Sequence, residues 1–178
     1  MDAPAPFIGN ASWSSEKCVR LLRGTELFGP FPYGALRSLL SASRMVSLKA
    51  SRRLFSENEA AQSGFLLADG VLRYDLGGDP EQPTYLTPPA VIGETALVTG
   101  CLRPVTVTAE TDSALIEIPR ATFLRVIAEY PESAAHTRRL LFAHLRKLVD
   151  GLDAVQHRLV AIASEARSLD IPSVGDVG

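Results

Sequence analysis

Apolar and polar residues alternate with two different periods along this chain. A helical period marks its first part, where apolar positions predict a short helix from Ser15 to Arg23 and a second from Tyr33 to Ala42. Helical spacing returns after Pro119 and again after Pro131, where a proline opens each predicted helix. Both flanks of the chain are therefore predicted to be helical.

Between Ser43 and Pro119 the apolar residues follow a period close to two. Stretches such as M-V-S-L-K-A, G-F-L-L-A-D-G-V-L-R-Y and V-T-V-T-A are short and separated by turn residues. This pattern predicts an α+β fold, in which an antiparallel β-roll, or jelly-roll-like barrel, is flanked by short N-terminal helices and a long C-terminal helix. Asp69-Gly70, between two apolar runs, predicts a hairpin turn.

The predicted helix after Pro131 carries a heptad repeat. Its apolar residues are spaced alternately four and three apart, as in a coiled-coil seam. They are Leu141, Leu145, Leu148, Leu152, Val155, Leu159 and Ile162. We favour a homodimer through the Leu141–Ile162 helix, because two-fold pairing is the commonest closed arrangement. The alternative is that the seam folds back on its own barrel.

Length, composition and charge limit the classes of function. The chain has 178 residues, of which 46% are hydrophobic and 21% charged, so one folded domain plus an appendage is expected. The formal net charge of −2 argues against non-specific binding to nucleic acid, which needs a basic face. Two isolated cysteines, Cys18 and Cys101, support neither a disulfide framework nor a zinc site. Because no secretory signal and no long apolar run is found, a cytoplasmic protein without a membrane partner is expected.

Candidate chemistry is concentrated between Ile92 and Ala109. Glu94 and Arg103 stand nine residues apart, and small residues between them can present backbone N–H groups to an anion. The alternating stretch V-T-V-T-A follows the arginine, so its planar guanidinium should lie at the mouth of a strand, where it can meet a phosphate. This combination suits a ligand with one anion and one sugar hydroxyl. The competing interpretation is an internal Glu94–Arg103 ion pair in an empty pocket.

The same stretch resembles the phosphate-binding cassette of cyclic nucleotide-binding domains. The matching residues are Gly93, Glu94, Ala96, Leu97, Arg103, Thr106 and Val107. The resemblance implies cAMP or cGMP as the ligand, with Glu94 accepting a hydrogen bond from the ribose 2′-hydroxyl and Arg103 pairing with the cyclic phosphate. The contact residues that it implies are Gly93, Glu94, Thr95, Ala96, Arg103, Pro104 and Val105.

The chain departs from this family directly after the arginine. The family usually has a small residue with a free N–H there, whereas this chain has Pro104, which donates no hydrogen bond. Losing one donor to a charged oxygen costs roughly 1.5–3 kcal/mol, or a factor of about ten to a hundred in affinity. Ala50 and Asn58 also stand where the family is expected to have glycines in an earlier turn.

The order helix, barrel, cassette, helix also resembles that of the family and suggests four parts. Residues 1–15 are expected to form a flexible arm, 16–130 a cyclic nucleotide-binding-like domain, 131–168 a dimerisation helix and 169–178 a flexible tail. The resemblance is to the sensor half of catabolite-activator-type regulators. No DNA-binding domain is expected, because the residues after Arg167 are too few for a helix-turn-helix.

The function implied is that of a regulatory module, which binds a cyclic nucleotide and signals through its C-terminal helix to an unknown protein partner. No enzyme activity or metal site is expected, because the chain has no G-x-S-x-G elbow, no H-E-x-x-H motif and no P-loop. Two alternatives stay open: a dimeric adaptor of the same fold that binds no nucleotide, and a regulator that lacks its DNA-binding domain. The residues do not choose between adenine and guanine.

Overall fold

A computed structural model describes residues 13–75, 83–143 and 146 of the chain. Of these residues, those up to Arg138 belong to one compact unit, and a second unit begins at Arg139. Most of the predicted arm, the heptad seam beyond residue 143 and the predicted tail lie outside the described residues. The predicted limits of these parts and the dimer through the seam stay predictions.

The first two helices form where the sequence predicts them. α1 is Ser15–Arg23; the Ser14 hydroxyl accepts a hydrogen bond from the Lys17 N–H and so caps its first turn. The helix ends at Gly24, whose N–H donates to the carbonyls of the last turn. α2 is Tyr33–Ser41, one residue shorter than predicted.

One of the remaining helices lies between two strands in sequence, and the others follow the last strand. α3 is the single turn Thr95–Val98, and α4 is Arg120–Glu129, which begins directly after Pro119. Residues 131–143 are also helical, as Pro131 predicts. Among the described residues, no helix combines the length and the apolar character that crossing a bilayer requires.

Antiparallel strands form the body of the domain. Within the described ranges they are β1 Arg44–Leu48, β2 Arg53–Phe55, β3 Ala60–Ala61, β4 Ser63–Asp69, β5 Leu72–Asp75, β6 Thr84–Leu86, β7 Ala90–Ile92, β8 Cys101–Leu102, β9 Thr106–Ala109 and β10 Ser113–Pro119. One sheet has the order β1-β10-β4-β7, another has the order β2-β9-β5-β6, and β3 pairs with β8. The predicted α+β, jelly-roll-like fold is confirmed, although its four-stranded sheets do not close into a barrel.

The chain passes from one sheet to the other at Gly70. β4 pairs with β10 and β7, while β5 pairs with β6 and β9, so the predicted Asp69-Gly70 hairpin is wrong. Gly70 has a φ of 90°, and a Cβ placed on it would run into Ser113. An Asp-Gly pair between apolar runs does not distinguish a hairpin from a change of sheet, because both use the backbone freedom of glycine.

Both four-stranded sheets contribute to one apolar core. Its buried members are Phe55, Phe65, Leu67, Leu72, Ile92, Val107, Ala109 and Leu115. They recur at every second position of β4 and β9, because alternate side chains of a strand point to the same face. Burying one such large side chain stabilises the fold by about 1.5–3 kcal/mol. A slip of one residue would expose them, so the core fixes the register of the strands around the cassette.

Candidate functional site

The backbone of Arg103 is held by an antiparallel ladder. The pairing of β3 with β8 continues past Leu102, since the Arg103 N–H donates to the Glu59 carbonyl at 2.8 Å and the Arg103 carbonyl accepts from the Asn58 N–H at 2.9 Å. Asn58 has a φ of 64°, in a region that asparagine enters more readily than most residues. The early turn therefore forms without the expected glycine, and it fixes the direction in which Arg103 leaves the sheet.

The Arg103 guanidinium is buried against aromatic rings. The residue is only 5% exposed, and its Cζ lies 4.1 Å from the ring centroid of Phe55 and 5.5 Å from that of Phe65. Nη2 donates to the Ser63 carbonyl at 2.8 Å, whereas Nη1 is buried without a hydrogen-bond partner. Buried polar groups are nearly always paired, so Nη1 is a donor that an anion could engage.

Gly93 brings the cassette turn against this donor. Its φ is 74°, a conformation that costs other residues roughly 1–2 kcal/mol. A Cβ placed on Gly93 would also run into Arg103 Nη1. Both conditions require glycine here, and the structure brings these two predicted site residues together.

Burial lowers the pKa of the Arg103 guanidinium from its usual range. Charge interactions with the side chains of Cys101, Glu59 and Glu117, in that order of size, offset part of this shift. Arginine nevertheless stays charged at neutral pH, because its ordinary pKa lies far above 7. The site thus holds a cation among apolar groups, where the attraction to an anion is stronger than in water.

The cassette turn closes on its own backbone. The Ala96 N–H donates to the Gly93 carbonyl at 3.1 Å, and the Leu97 N–H donates to the Glu94 carbonyl at 3.0 Å. Ala96 and Leu97 are buried, whereas Thr95 is exposed. The Ala96 N–H, one of the predicted phosphate donors, is therefore used within the turn and could serve a phosphate only as a shared donor.

Glu94 borders a cavity beside the loop after α1. It is half-buried and lines a cavity of about 220 Å³ together with residues 24–27 of the loop after α1 and residues 89–91 around β7. Arg103 is not part of the lining of that cavity. To meet a ribose held by Arg103, the Glu94 side chain would have to turn away from this loop.

Pro104 and Val105 continue the chain from Arg103 into β9. Pro104 is exposed, and Val105 packs against the apolar core. Because Pro104 has no N–H, the backbone directly after Arg103 offers no donor, as the sequence indicates. The described residues contain no group of histidine, cysteine and carboxylate side chains that could hold a metal ion.

Sequence reasoning missed the residues that surround the guanidinium. Phe55, Ser63 and Phe65 come from strands far from the cassette in sequence. The alternation in β4 could have indicated that Ser63 and Phe65 share one face. The alternation could not have indicated which strand lies next to β4. Its neighbour β7 is separated from it in sequence by β5 and β6, which belong to the other sheet.

Comparisons with known proteins agree with this fold. Residues 45–130 match the family model of the cyclic nucleotide-binding domain. No curated protein sequence matches the chain. Among solved structures, a cyclic nucleotide-binding-like protein from Brucella abortus bv. 1 str. 9-941 is 27% identical with a TM-score of 0.53, and the match covers 62% of this chain and 97% of that one.

Two further solved structures have the same fold. The catabolite activator protein of Thermus thermophilus is 25% identical with a TM-score of 0.63, over 74% of this chain and 63% of that one. The regulatory domain of Toxoplasma gondii PKA, solved with cAMP, is 24% identical with a TM-score of 0.61, over 74% of this chain and 49% of that one. The matched residues 45–130 include the ladder, Gly93 and Arg103. Residues 45–130 of this chain are therefore a domain of the cyclic nucleotide-binding family.

Proposed function

We propose that this chain binds a cyclic nucleoside monophosphate, cAMP or cGMP, at the cassette that follows β7. In this proposal Arg103 pairs with the cyclic phosphate, and Glu94 accepts a hydrogen bond from the ribose 2′-hydroxyl. The remaining contacts come from the neighbouring cassette residues, which are Gly93, Thr95, Ala96, Pro104 and Val105.

The buried, unpartnered Nη1 of Arg103 is the observation that carries the proposal. It lies against Gly93, whose lack of a side chain allows the cassette turn to approach the guanidinium closely. A cyclic phosphate carries one negative charge and two free oxygens, which suits a planar guanidinium. One charge-assisted hydrogen bond of this kind contributes roughly 1.5–3 kcal/mol.

Binding at this position has a consequence for Glu94. Glu94 lines the cavity beside the loop after α1, together with Gly24, Thr25, Glu26 and Leu27. If Glu94 turns to the ribose, it leaves that loop, and the loop joins α1 to α2. Nucleotide occupancy would thereby change the contacts of the helical flank.

We further propose that the protein is a non-enzymatic regulator in the cytoplasm. Occupancy would be signalled through the C-terminal helix, dimerised along Leu141–Ile162, to a protein partner. The heptad spacing of the sequence supports this part of the proposal. Sedimentation of the full chain, with Leu148→Glu as the disrupting variant, tests it: a monomer before substitution would refute the dimer.

Isothermal titration of the full chain with cAMP and with cGMP tests nucleotide binding. Arg103→Gln should weaken binding by a factor of at least about ten to a hundred, since it removes the charge and Nη1. Arg125→Gln is the matched control, because Arg125 is exposed on α4 and pairs only weakly with Glu129 at 3.7 Å. The proposal would be refuted if no binding heat is measured with cAMP or with cGMP. It would also be refuted if the Arg103→Gln and Arg125→Gln variants bind nucleotide with equal affinity.

The second candidate is a dimeric adaptor of the same fold that binds no nucleotide. Pro104 favours it, because the N–H that the family places after the arginine is missing. Pro104→Ala restores this donor and separates the candidates. A nucleotide sensor should bind measurably before the substitution and up to about a hundredfold more tightly after it. Binding that appears only in the variant would identify the adaptor.

A further inference from the structure

The buried guanidinium of Arg103 has no carboxylate partner. Among the described residues, no ion pair between side chains includes Arg103. The carboxylates of Glu59 and Glu117 act on it electrostatically, but they lie beyond ion-pair distance. Burying an unpaired charge is costly, and a charged side chain is rarely buried without a partner. Another group must therefore stabilise the positive charge of Arg103.

Two aromatic rings lie beside this guanidinium. Cζ of Arg103 lies over the ring of Phe55, 4.1 Å from its centroid, and 5.5 Å from the centroid of Phe65. The two ring centroids are 6.0 Å apart. A cation sandwiched between two rings would require a separation close to the sum of its distances to them. Because the separation is much shorter, the guanidinium lies to one side of the ring pair and closest to Phe55.

The fold fixes both rings in place. Phe55 lies in β2 opposite Val107 of β9, and Phe65 lies in β4 opposite Ile92 of β7. The rings therefore come from the two different four-stranded sheets, and both belong to the apolar core. Side chains in such a core are closely packed and have little room to move. The ring pair is thus a rigid support for the guanidinium.

A ring and a carboxylate stabilise a guanidinium in different ways. The face of an aromatic ring carries negative charge density and attracts a cation that lies over it, without accepting an N–H hydrogen bond in the plane of the guanidinium. A carboxylate accepts hydrogen bonds from the guanidinium N–H groups themselves. In Arg103, Nη2 donates to the Ser63 carbonyl, and Nη1 is buried without a partner. The ring therefore offsets the buried charge and leaves a donor that a carboxylate could have occupied.

We propose that Phe55 is the positioning residue of this anion site. Its ring stabilises the buried charge of Arg103 in place of a carboxylate, and it holds Nη1 against the Gly93 turn, where an incoming anion can pair with it. The identity of that anion, a cyclic phosphate, rests on the proposed function, whereas the support of the guanidinium by the ring does not. Phe65 lies farther from Cζ and contributes less, because the attraction weakens with distance.

Graded fluorination of Phe55 tests the support of the guanidinium without any nucleotide. Fluorine withdraws electron density from the face of the ring but changes its shape little, so each added fluorine weakens the attraction to a cation. Phe55 of the full chain is replaced in turn by mono-, di- and trifluorophenylalanine. The unfolding temperature should fall stepwise, by about 2–4 °C over the series. In the Arg103→Met background this fall should be absent.

Phe31 is the matched control for the fluorination series. Its ring packs against two other rings, with centroid distances of 5.4 Å to Phe28 and 6.3 Å to Phe123. The same series at position 31 should shift the unfolding temperature equally in the original chain and in Arg103→Met. The support of the guanidinium would be overturned if fluorination of Phe55 also changes the unfolding temperature equally in both backgrounds, or does not change it at all.

Titration with cAMP and cGMP tests the positioning. Phe55→Leu should weaken binding by about tenfold, because leucine is apolar but cannot hold the guanidinium against the turn. Trifluorophenylalanine at position 55 keeps the shape of the ring and should bind within about threefold of the original chain. Phe31→Leu should leave the affinity unchanged.

Two results of this titration would overturn the positioning. One is an unchanged affinity of Phe55→Leu, and the other is an equally large loss in either of the two comparison variants. If the original chain binds neither nucleotide, the proposed function fails, and the fluorination series still decides whether the ring of Phe55 supports the guanidinium.

Discussion

Substitution of Gly93 by alanine is the most direct perturbation of the site. The new Cβ meets Arg103 Nη1, and alanine must adopt the φ of 74° that glycine has here. The backbone conformation alone costs roughly 1–2 kcal/mol. The guanidinium must also move, which weakens its 2.8 Å hydrogen bond to the Ser63 carbonyl, a contact to a charged group worth roughly 1.5–3 kcal/mol.

The two effects together predict a loss of about 2–5 kcal/mol in the free energy of unfolding, since the guanidinium retains part of its contact by relaxing. In a chain of this size, each kcal/mol lowers the unfolding temperature by about 2–4 °C. Denaturant titration measures the free energy, and calorimetric titration measures nucleotide affinity, which should fall below detection.

Gly100→Ala is the matched control for this substitution. Gly100 belongs to the same segment, but its added Cβ would meet only the Arg120 Nη1 at 2.9 Å, the end of a flexible side chain. We expect it to lose less than about 1 kcal/mol. Equal stability of the two variants would refute the explanation of Gly93, because a close approach of turn and guanidinium could not then be the reason for the glycine.

Three further predictions concern single residues of the domain. Arg103→Met should abolish nucleotide binding and change the stability of the ligand-free chain by less than about 2 kcal/mol, as measured by denaturant titration, because the removal of a buried, partly unpaired cation offsets the loss of its hydrogen bond to the Ser63 carbonyl; a larger loss would contradict this. Asn58→Gly should raise the unfolding temperature, because it relieves about 1 kcal/mol of left-handed strain, and a lower temperature would show that the Asn58 side chain stabilises the turn. The pKa of Asp112 is lowered by hydrogen bonds from Lys49 and from the Ala50 N–H, so its stabilising effect is present above the ordinary carboxyl pKa and is lost as the pH falls below about 4. Asp112→Asn should therefore unfold at a lower temperature than the original chain at neutral pH, and the two melting curves should converge in acid; a constant difference would contradict the assignment.

The period of the apolar residues predicted most of the fold because it reports burial directly. Helices α1 and α2, the alternation of β9 and the proline that opens α4 all appear at their predicted places. The pairing partner of each strand could not be predicted in this way. Alternation shows which side chains of a strand are buried, but it does not show which other strand lies beside it. The error at Gly70 has this origin: local turn chemistry was right, and only the long-range pairing of β4 with β10 decides that the chain changes sheets.

The cassette was predicted in outline for a different reason. Glu94 and Arg103 could be assigned to one cassette with Gly93 because the spacing of charged and small residues carries chemistry within one short segment. The aromatic rings of Phe55 and Phe65, the bond to Ser63 and the cavity at Glu94 depend on segments brought together only by folding. Sequence thus indicated the ligand class, whereas the burial of the guanidinium, which decides how strongly it attracts an anion, required the structure.

The central place of β10 constrains how the protein is made. This strand, Ser113–Pro119, lies between β1 and β4, and it pairs with β1 from Arg44 opposite Glu117 to Leu48 opposite Ser113. During synthesis on the ribosome, about seventy residues must follow β1 before its neighbour β10 has been made. Until then an open strand edge can recruit other nascent chains. The sheet that contains β1 therefore cannot be completed until β10 has been synthesised, after the cassette.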